Sequence, residues 1–305
     1  MPPRLLAGRR SCRGALATLL LVVCLAGCGR VDQKQPPRQL IDEGWSRYSL
    51  GDYSLAARAF AAAAAKPDCS PALRWQALYG QASALDHDKA APDPEQAQAL
   101  YELVATLAPD SDPAAWSLLA LARMKYVLPP GAIPDPAQVA AAYQRVIDRF
   151  PRHPAGEEAF LLLQALRLEQ NDAAAAGAVQ ASLDAFIAGH PQSCYLSTAY
   201  TLRAHSARLL GRPRDRLNSI ILSLKSLEAD PRHPELNLAT TYWQIAATAE
   251  FDLGDFPAAR RYYRKLIADY PTDQKTYLAQ LELRHMDEVE ADLRREAATQ
   301  PAGNP

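Results

Sequence analysis

The sequence predicts an all-α protein, and three observations predict it. Alanine dominates long stretches, while β-branched clusters and hairpin dipeptides such as Asn-Gly are scarce, so helix propensity is high nearly throughout. Apolar residues recur at helical spacing, as in Ala159, Leu162, Leu163 and Leu166, which follow i, i+3, i+4, i+7 and form a stripe that must pack on neighbours. Prolines stop these segments at a nearly constant interval. With 305 residues, 49% apolar and 22% charged, the chain can bury a substantial core. A formal net charge of −1, with no concentrated Lys/Arg surface beyond the first residues, argues against a nucleic-acid partner.

The interval is a repeat. Ala97, Tyr101, Val104, Pro109; Val139, Tyr143, Val146, Pro151; Val179, Leu183, Phe186, Pro191; and Ala259, Tyr263, Leu266, Pro271 share the offsets 4, 3 and 5. The first three members of each set fall on one helical face, and the proline ends the helix. Ala56, Phe60 and Ala63 keep the offsets but run into Pro67-Asp68, and Ile220, Leu224, Leu227, Pro231 is one residue short at its end. From Pro109 to Pro271 the prolines step by 42 and then 40 residues. The tetrapeptide PRHP, at 151–154 and again at 231–234, is then a seam. Its first proline closes one helix and its second opens the next, where a missing N–H costs nothing. His153 and His233 are read as punctuation rather than metal ligands.

These positions resemble the second helix of a tetratricopeptide (TPR) unit. First-helix and turn positions fit as well: Trp243, Gly254-Asp255-Phe256 in the last unit, and Gly44, Gly51-Asp52-Tyr53 in the first. The resemblance covers roughly residues 40 to 273 and implies a superhelical solenoid of about six helix pairs, lengthened at the turns HDKAAPDP (87–94) and PPGAIPDP (129–136). Such a stack needs capped ends. KTYLAQLELRHMDEVEADLRREAA is expected to cap it with Leu278, Leu281, Met286, Val289 and Leu293 inward. In the family, partners lie as peptides or helices along a concave wall of first helices. Carried over by register from Trp243 and Gly211, that wall is expected to hold Thr198, Thr201, His205, Arg208, Thr241, Gln244 and Thr248.

The first residues carry an address. MPPRLLAGRRSCRG is basic without acid, and ALATLLLVVCLA is apolar but shorter than the ~20 residues of a spanning helix. Leu25-Ala26-Gly27-Cys28 resembles a bacterial lipobox, which implies cleavage before Cys28 and lipidation of its sulfur. Several acyl chains hold a protein firmly on a membrane. Gly29, not Asp, follows the cysteine, which resembles an outer-membrane sorting signal. The expected organisation is a signal peptide at 1–27, a lipidated flexible tether at 28–39, the solenoid at 40–297 and a disordered tail at 298–305. Of the other cysteines, Cys69 and Cys194 are separated by three repeats and are not expected to pair.

No His-Glu-x-x-His, Cys-x-x-Cys, phosphate loop or nucleophile elbow is present in the sequence. Glu157-Glu158 and the acidic run near 287–292 read as solvated helix faces, and the remaining histidines lack ligand spacing. The reading is a non-enzymatic scaffold without cofactor or small-molecule substrate, lipid-anchored at the outer membrane and facing the periplasm, where its groove binds protein partners of the cell envelope. It is similar to the bacterial outer-membrane TPR lipoproteins, including that of the β-barrel assembly machinery. Alternative readings are a TPR lipoprotein serving polysaccharide export or peptidoglycan synthesis, and a helical-repeat enzyme or glycan-binding protein. Trp45, Trp75, Trp116 and Trp243 fall in first helices, where packing accounts for them more simply than sugar stacking.

Overall fold

The computed structural model describes residues 34–128, 131–230 and 236–299. The expected signal peptide, Cys28, the second PRHP with His233 and residues 300–305 lie outside the described residues. Those described form thirteen α-helices and no strand, and none of the helices is long and apolar enough to cross a membrane. The chain divides into two compact units at Val127/Leu128.

The first unit holds α1 (Pro37–Ser49), α2 (Tyr53–Ala64), α3 (Pro71–His87), α4 (Pro94–Leu107) and α5 (Asp112–Met124). Each helix packs on the next, and the first helices α1, α3 and α5 also touch in succession. The second unit holds α6 (Pro136–Arg149), α7 (Pro154–Leu168), α8 (Ala173–Gly189), α9 (Leu196–Leu209), α10 (Pro213–Glu228), α11 (Ala239–Ala247), α12 (Phe256–Asp269) and α13 (Gln274–Thr299). Its helices also pack in chain order. The boundary between units falls just before the lengthened PPGAIPDP turn, so the two helices of the third expected pair belong to different units.

The repeated residues occupy equivalent places. Ala97, Tyr101 and Val104, Val139, Tyr143 and Val146, and Ala259, Tyr263 and Leu266 are all buried on α4, α6 and α12. Four seams share one backbone geometry: Ala108, Phe150, His190 and Tyr270 have φ between −128° and −133°, and each donates its N–H to the carbonyl of the repeat residue four earlier. A following proline disfavours the α region at these positions, so the helix ends there. The two sets whose prolines are out of register behave otherwise, and α2 and α10 end at Ala65 and Ala229 in ordinary right-handed helical conformation. His153 caps α7, its Nδ1 accepting from the Ala155 N–H at 3.0 Å; punctuation is its structural role. Aspartates and serines cap most of the other proline-led helices in the same way, Asp135 at α6 and Ser70 at α3 among them.

One expectation about packing is corrected in part. On α13 Met286 is buried and Val289 half-buried, as expected, whereas Leu278, Leu281 and Leu293 are exposed, and their places on the inner face are taken by buried Thr276 and Ala279 and half-buried Leu283. The larger leucines suggested one face; the face that fits against α11 and α12 is set by the smaller Ala279. The four tryptophans sit on first helices and pack at the margin of the core, as the packing reading expects: Trp75, Trp116 and Trp243 are half-buried, and Trp45, 37% exposed, still meets the Phe60 ring edge-on at 4.9 Å. Cys69 is buried and Cys194 exposed, and the two do not pair with each other.

Candidate partner-binding groove

The candidate groove lies within the second unit, where α9, α10 and α11 meet. Gly211, with φ +65°, turns the chain from α9 into α10, a left-handed conformation that costs glycine nothing. The Arg212 N–H closes the turn on the Ala207 carbonyl at 2.9 Å. In this unit the first helices α7 and α9 touch, as do α11 and α13, but α9 and α11 make no such approach among the described residues. The gap between them is a pocket of about 330 Å³.

Its α9 wall presents Thr201, His205 and Arg208, its α11 wall Thr240, Thr241 and Gln244, and its α10 floor Ile220, Leu227 and Arg216. Five of the seven positions carried over by register therefore converge: Thr201, His205, Arg208, Thr241 and Gln244. Thr198 is exposed one turn earlier on α9 and does not line the pocket. Thr248 is not a groove residue. It is 1% exposed, because α11 widens at Thr248–Asp252 into a π turn that packs on α10 and α12. Register missed Arg216, Ile220 and Leu227, since it assigned the groove to first helices alone. Where two first helices part, the second helix between them becomes the floor. The short spacing to Pro231 was the one trace of this irregular seam in the sequence.

The electrostatics are one-sided: two guanidinium groups line the pocket and no carboxylate does. Arg216 is paired, its Nη1 2.8 Å from Asp252 Oδ2. Arg208 instead donates through Nη2 to His205 Nε2 at 2.9 Å, an arrangement that requires an unprotonated Nε2. Burial pushes the His205 pKa down, and the Arg208 charge pushes it the same way. Thr201 and Ser223 hydroxyls lie 3.0 Å apart and are anchored on the Ser197 carbonyl. Another pocket, of about 600 Å³, is lined by Leu196, Tyr200, Leu222 and Lys225 and holds none of the positions carried over by register. Among the described residues no group of three His, Cys, Asp or Glu is placed to hold a metal ion.

Helix pairs with a shared seam geometry and buried tyrosines at equivalent positions of the repeat define a TPR-like helical-repeat fold. Residues 240–283, from α11 into α13, match the tetratricopeptide repeat family. Among solved structures the chain is similar to PilW, described as a widely conserved type IV pilus biogenesis factor, with a TM-score of 0.54 and 20% identity over 79% of this chain and 98% of that one. The assembly chaperone of RpL4, Acl4, is also similar, with a TM-score of 0.42 and 14% identity over 87% of this chain and 100% of that one. No curated protein matches this sequence.

Proposed function

We propose that the protein is a non-catalytic interaction scaffold of the bacterial cell envelope, anchored by lipid at Cys28, whose α9–α11 pocket receives a segment of a protein partner. The observation that carries this reading is the convergence of Thr201, His205, Arg208, Thr241 and Gln244 on one pocket. Polar side chains grouped on helix faces beside an apolar floor suit recognition of a chain segment. The TPR match over α11 and α12 supports the reading, because binding between such helix pairs is what that repeat does in the family it resembles. The lipobox-like Leu25-Ala26-Gly27-Cys28 supports the anchor, and Gly29 supports an outer-membrane, periplasm-facing position. Envelope assembly is the proposed setting, and type IV pilus biogenesis, the role printed for PilW, joins β-barrel assembly as a specific machine to test.

The experiment is photocrosslinking in intact cells from an amino acid introduced at Thr241, followed by mass spectrometry of the adducts. The reading expects a discrete envelope protein, absent when the crosslinker stands at exposed Arg58 on α2 or when Gln244→Trp fills the pocket. Identical adducts from all three proteins would sink the groove reading. Separately, globomycin should accumulate a lipid-labelled precursor, and Cys28→Ser should release the protein from membranes; a Cys28→Ser protein that stays membrane-bound would remove the anchor.

A further inference from the structure

We infer that the α9–α11 pocket selects an acidic segment of its protein partner, seating an Asp or Glu carboxylate on Arg208 and a neighbouring aliphatic side chain on Ile220 and Leu227. The inference rests on the groove reading above and names the chemistry of its occupant.

Charge complementarity carries it. The pocket lining contains Arg208 and Arg216 and no acid, although the whole chain is slightly acidic at −1. Local positive charge is thus a property of this site rather than of the protein. Asp252 already neutralises Arg216. Arg208 has no carboxylate partner among the described residues; its hydrogen bond goes to the neutral imidazole of His205. A guanidinium has five N–H donors in a fixed fork, so one contact to His205 orients Arg208 and leaves donors for a second acceptor. A carboxylate is the acceptor that matches the fork. A single uncompensated guanidinium beside an apolar floor is too little for a phosphate backbone, which needs a track of basic residues.

The remaining walls fit the rest of a peptide. The side chains of Thr240, Thr241 and Gln244 make no hydrogen bond within the described chain, leaving two hydroxyls and an amide to meet backbone groups of an extended segment. Ile220 is 6% exposed, and with Leu227 it offers an apolar floor. The parting of α9 and α11 gives the segment a path between them.

The test uses a phage-displayed library of random dodecapeptides panned on the full protein, with enriched sequences remade as C-terminally amidated peptides so that only side-chain carboxylates are present. The inference expects enriched peptides to share an Asp or Glu near a Leu, Ile or Val. Affinity should fall about tenfold with Arg208→Gln, as loss of one charge-assisted hydrogen bond implies. Arg208→Lys should restore part of it, and added salt should weaken it. Peptides that Gln244→Trp abolishes but that carry no acid, or that bind Arg208→Gln as tightly as the parent, would overturn the inference and leave the groove reading standing. If no peptide is enriched, or Gln244→Trp changes nothing, both fall.

Discussion

The Tyr263 hydroxyl donates to Glu250 Oε2 at 2.8 Å, tying the repeat-position tyrosine of α12 to a carboxylate in the π turn after α11. Glu250 is 6% exposed and Tyr263 fully buried. Burial pushes the Glu250 carboxyl above its ordinary range, and the Tyr263 hydrogen bond opposes that rise. Tyr263→Phe leaves the carboxylate buried without its donor, a loss of about 1–3 kcal/mol. Because the folded-state pKa is raised, the ionised form is penalised in the native protein. That penalty is fully present above the folded pKa and is relieved as pH falls through it toward the unfolded value. The loss in Tyr263→Phe should therefore be larger at neutral pH than in acid. Glu250→Gln, an acceptor without charge, should melt higher than the parent at neutral pH and match it in acid. Urea unfolding of the three proteins at both pH values checks this, and a Tyr263→Phe deficit independent of pH would contradict it.

Phe60 is gripped by two glycines from flanking first helices. A Cβ built on Gly44 of α1 or on Gly80 of α3 would stand 2.6 Å from Phe60 Cε1. In an exposed helix, alanine in place of glycine gains about 1 kcal/mol. Here the ring would have to leave its packed position, so the sign reverses. Gly80→Ala should cost about 1–3 kcal/mol, the range for overpacking a dense core. Phe60→Leu added to Gly80→Ala should recover part of that loss, although Phe60→Leu alone destabilises. The urea midpoints of the single and double variants decide the point.

The second helices were legible because their signal is redundant. Tyr101, Tyr143 and Tyr263 each sit between two small or apolar partners and a proline, and all three are buried where the register placed them. The seams were legible for the same reason, since proline acts on the residue before it whatever the tertiary setting. The inward face of α13 was legible only in part, at Met286 and half-buried Val289. Side-chain size favoured Leu278 and Leu281, but contact distance to the neighbouring helices decides in favour of Ala279. Thr248 failed differently, because a π turn changes the helical register and no residue type announces one. Arg216 and the α10 floor were invisible because they depend on two first helices failing to meet, a fact of packing between segments about 40 residues apart.

The Arg208–His205 contact makes the imidazole a reporter of the groove. Burial is the main cause of its lowered pKa and the Arg208 charge the second, so Arg208→Gln should raise it without restoring the ordinary value. A depressed histidine pKa means that the folded protein resists protonation there. Stability from this group is present above the unfolded pKa and is lost as pH falls toward the folded one. Arg208→Gln should thus soften the acid-side loss. An NMR titration of the His205 ring in both proteins reads the shift directly; an unchanged midpoint would mean that Arg208 does not sense the imidazole.

Arg260 fastens the last helix. From α12 its guanidinium reaches Glu290 Oε1 and Asp287 Oδ1 on α13, at 2.6 Å each, and both contacts raise its pKa. The apolar seal beneath α13 is thin, resting on Ala279, Met286 and half-buried Leu283, with only half-buried Val289 beyond Met286, so the clamp supports the docking of that last part of the helix. Its two arms differ in exposure: the Asp287 side chain is 74% exposed and that of Glu290 31%. Solvent screens the first far more than the second. Asp287→Asn should cost less than about 0.5 kcal/mol and become silent in high salt, whereas Glu290→Gln should cost about 1 kcal/mol and keep most of that loss. Hydrogen exchange locates the effect: Glu290→Gln should deprotect amides from residue 286 onward while those of 274–283 keep parental rates. Uniform deprotection of α13 would show instead that the whole helix docks as one unit through its apolar face.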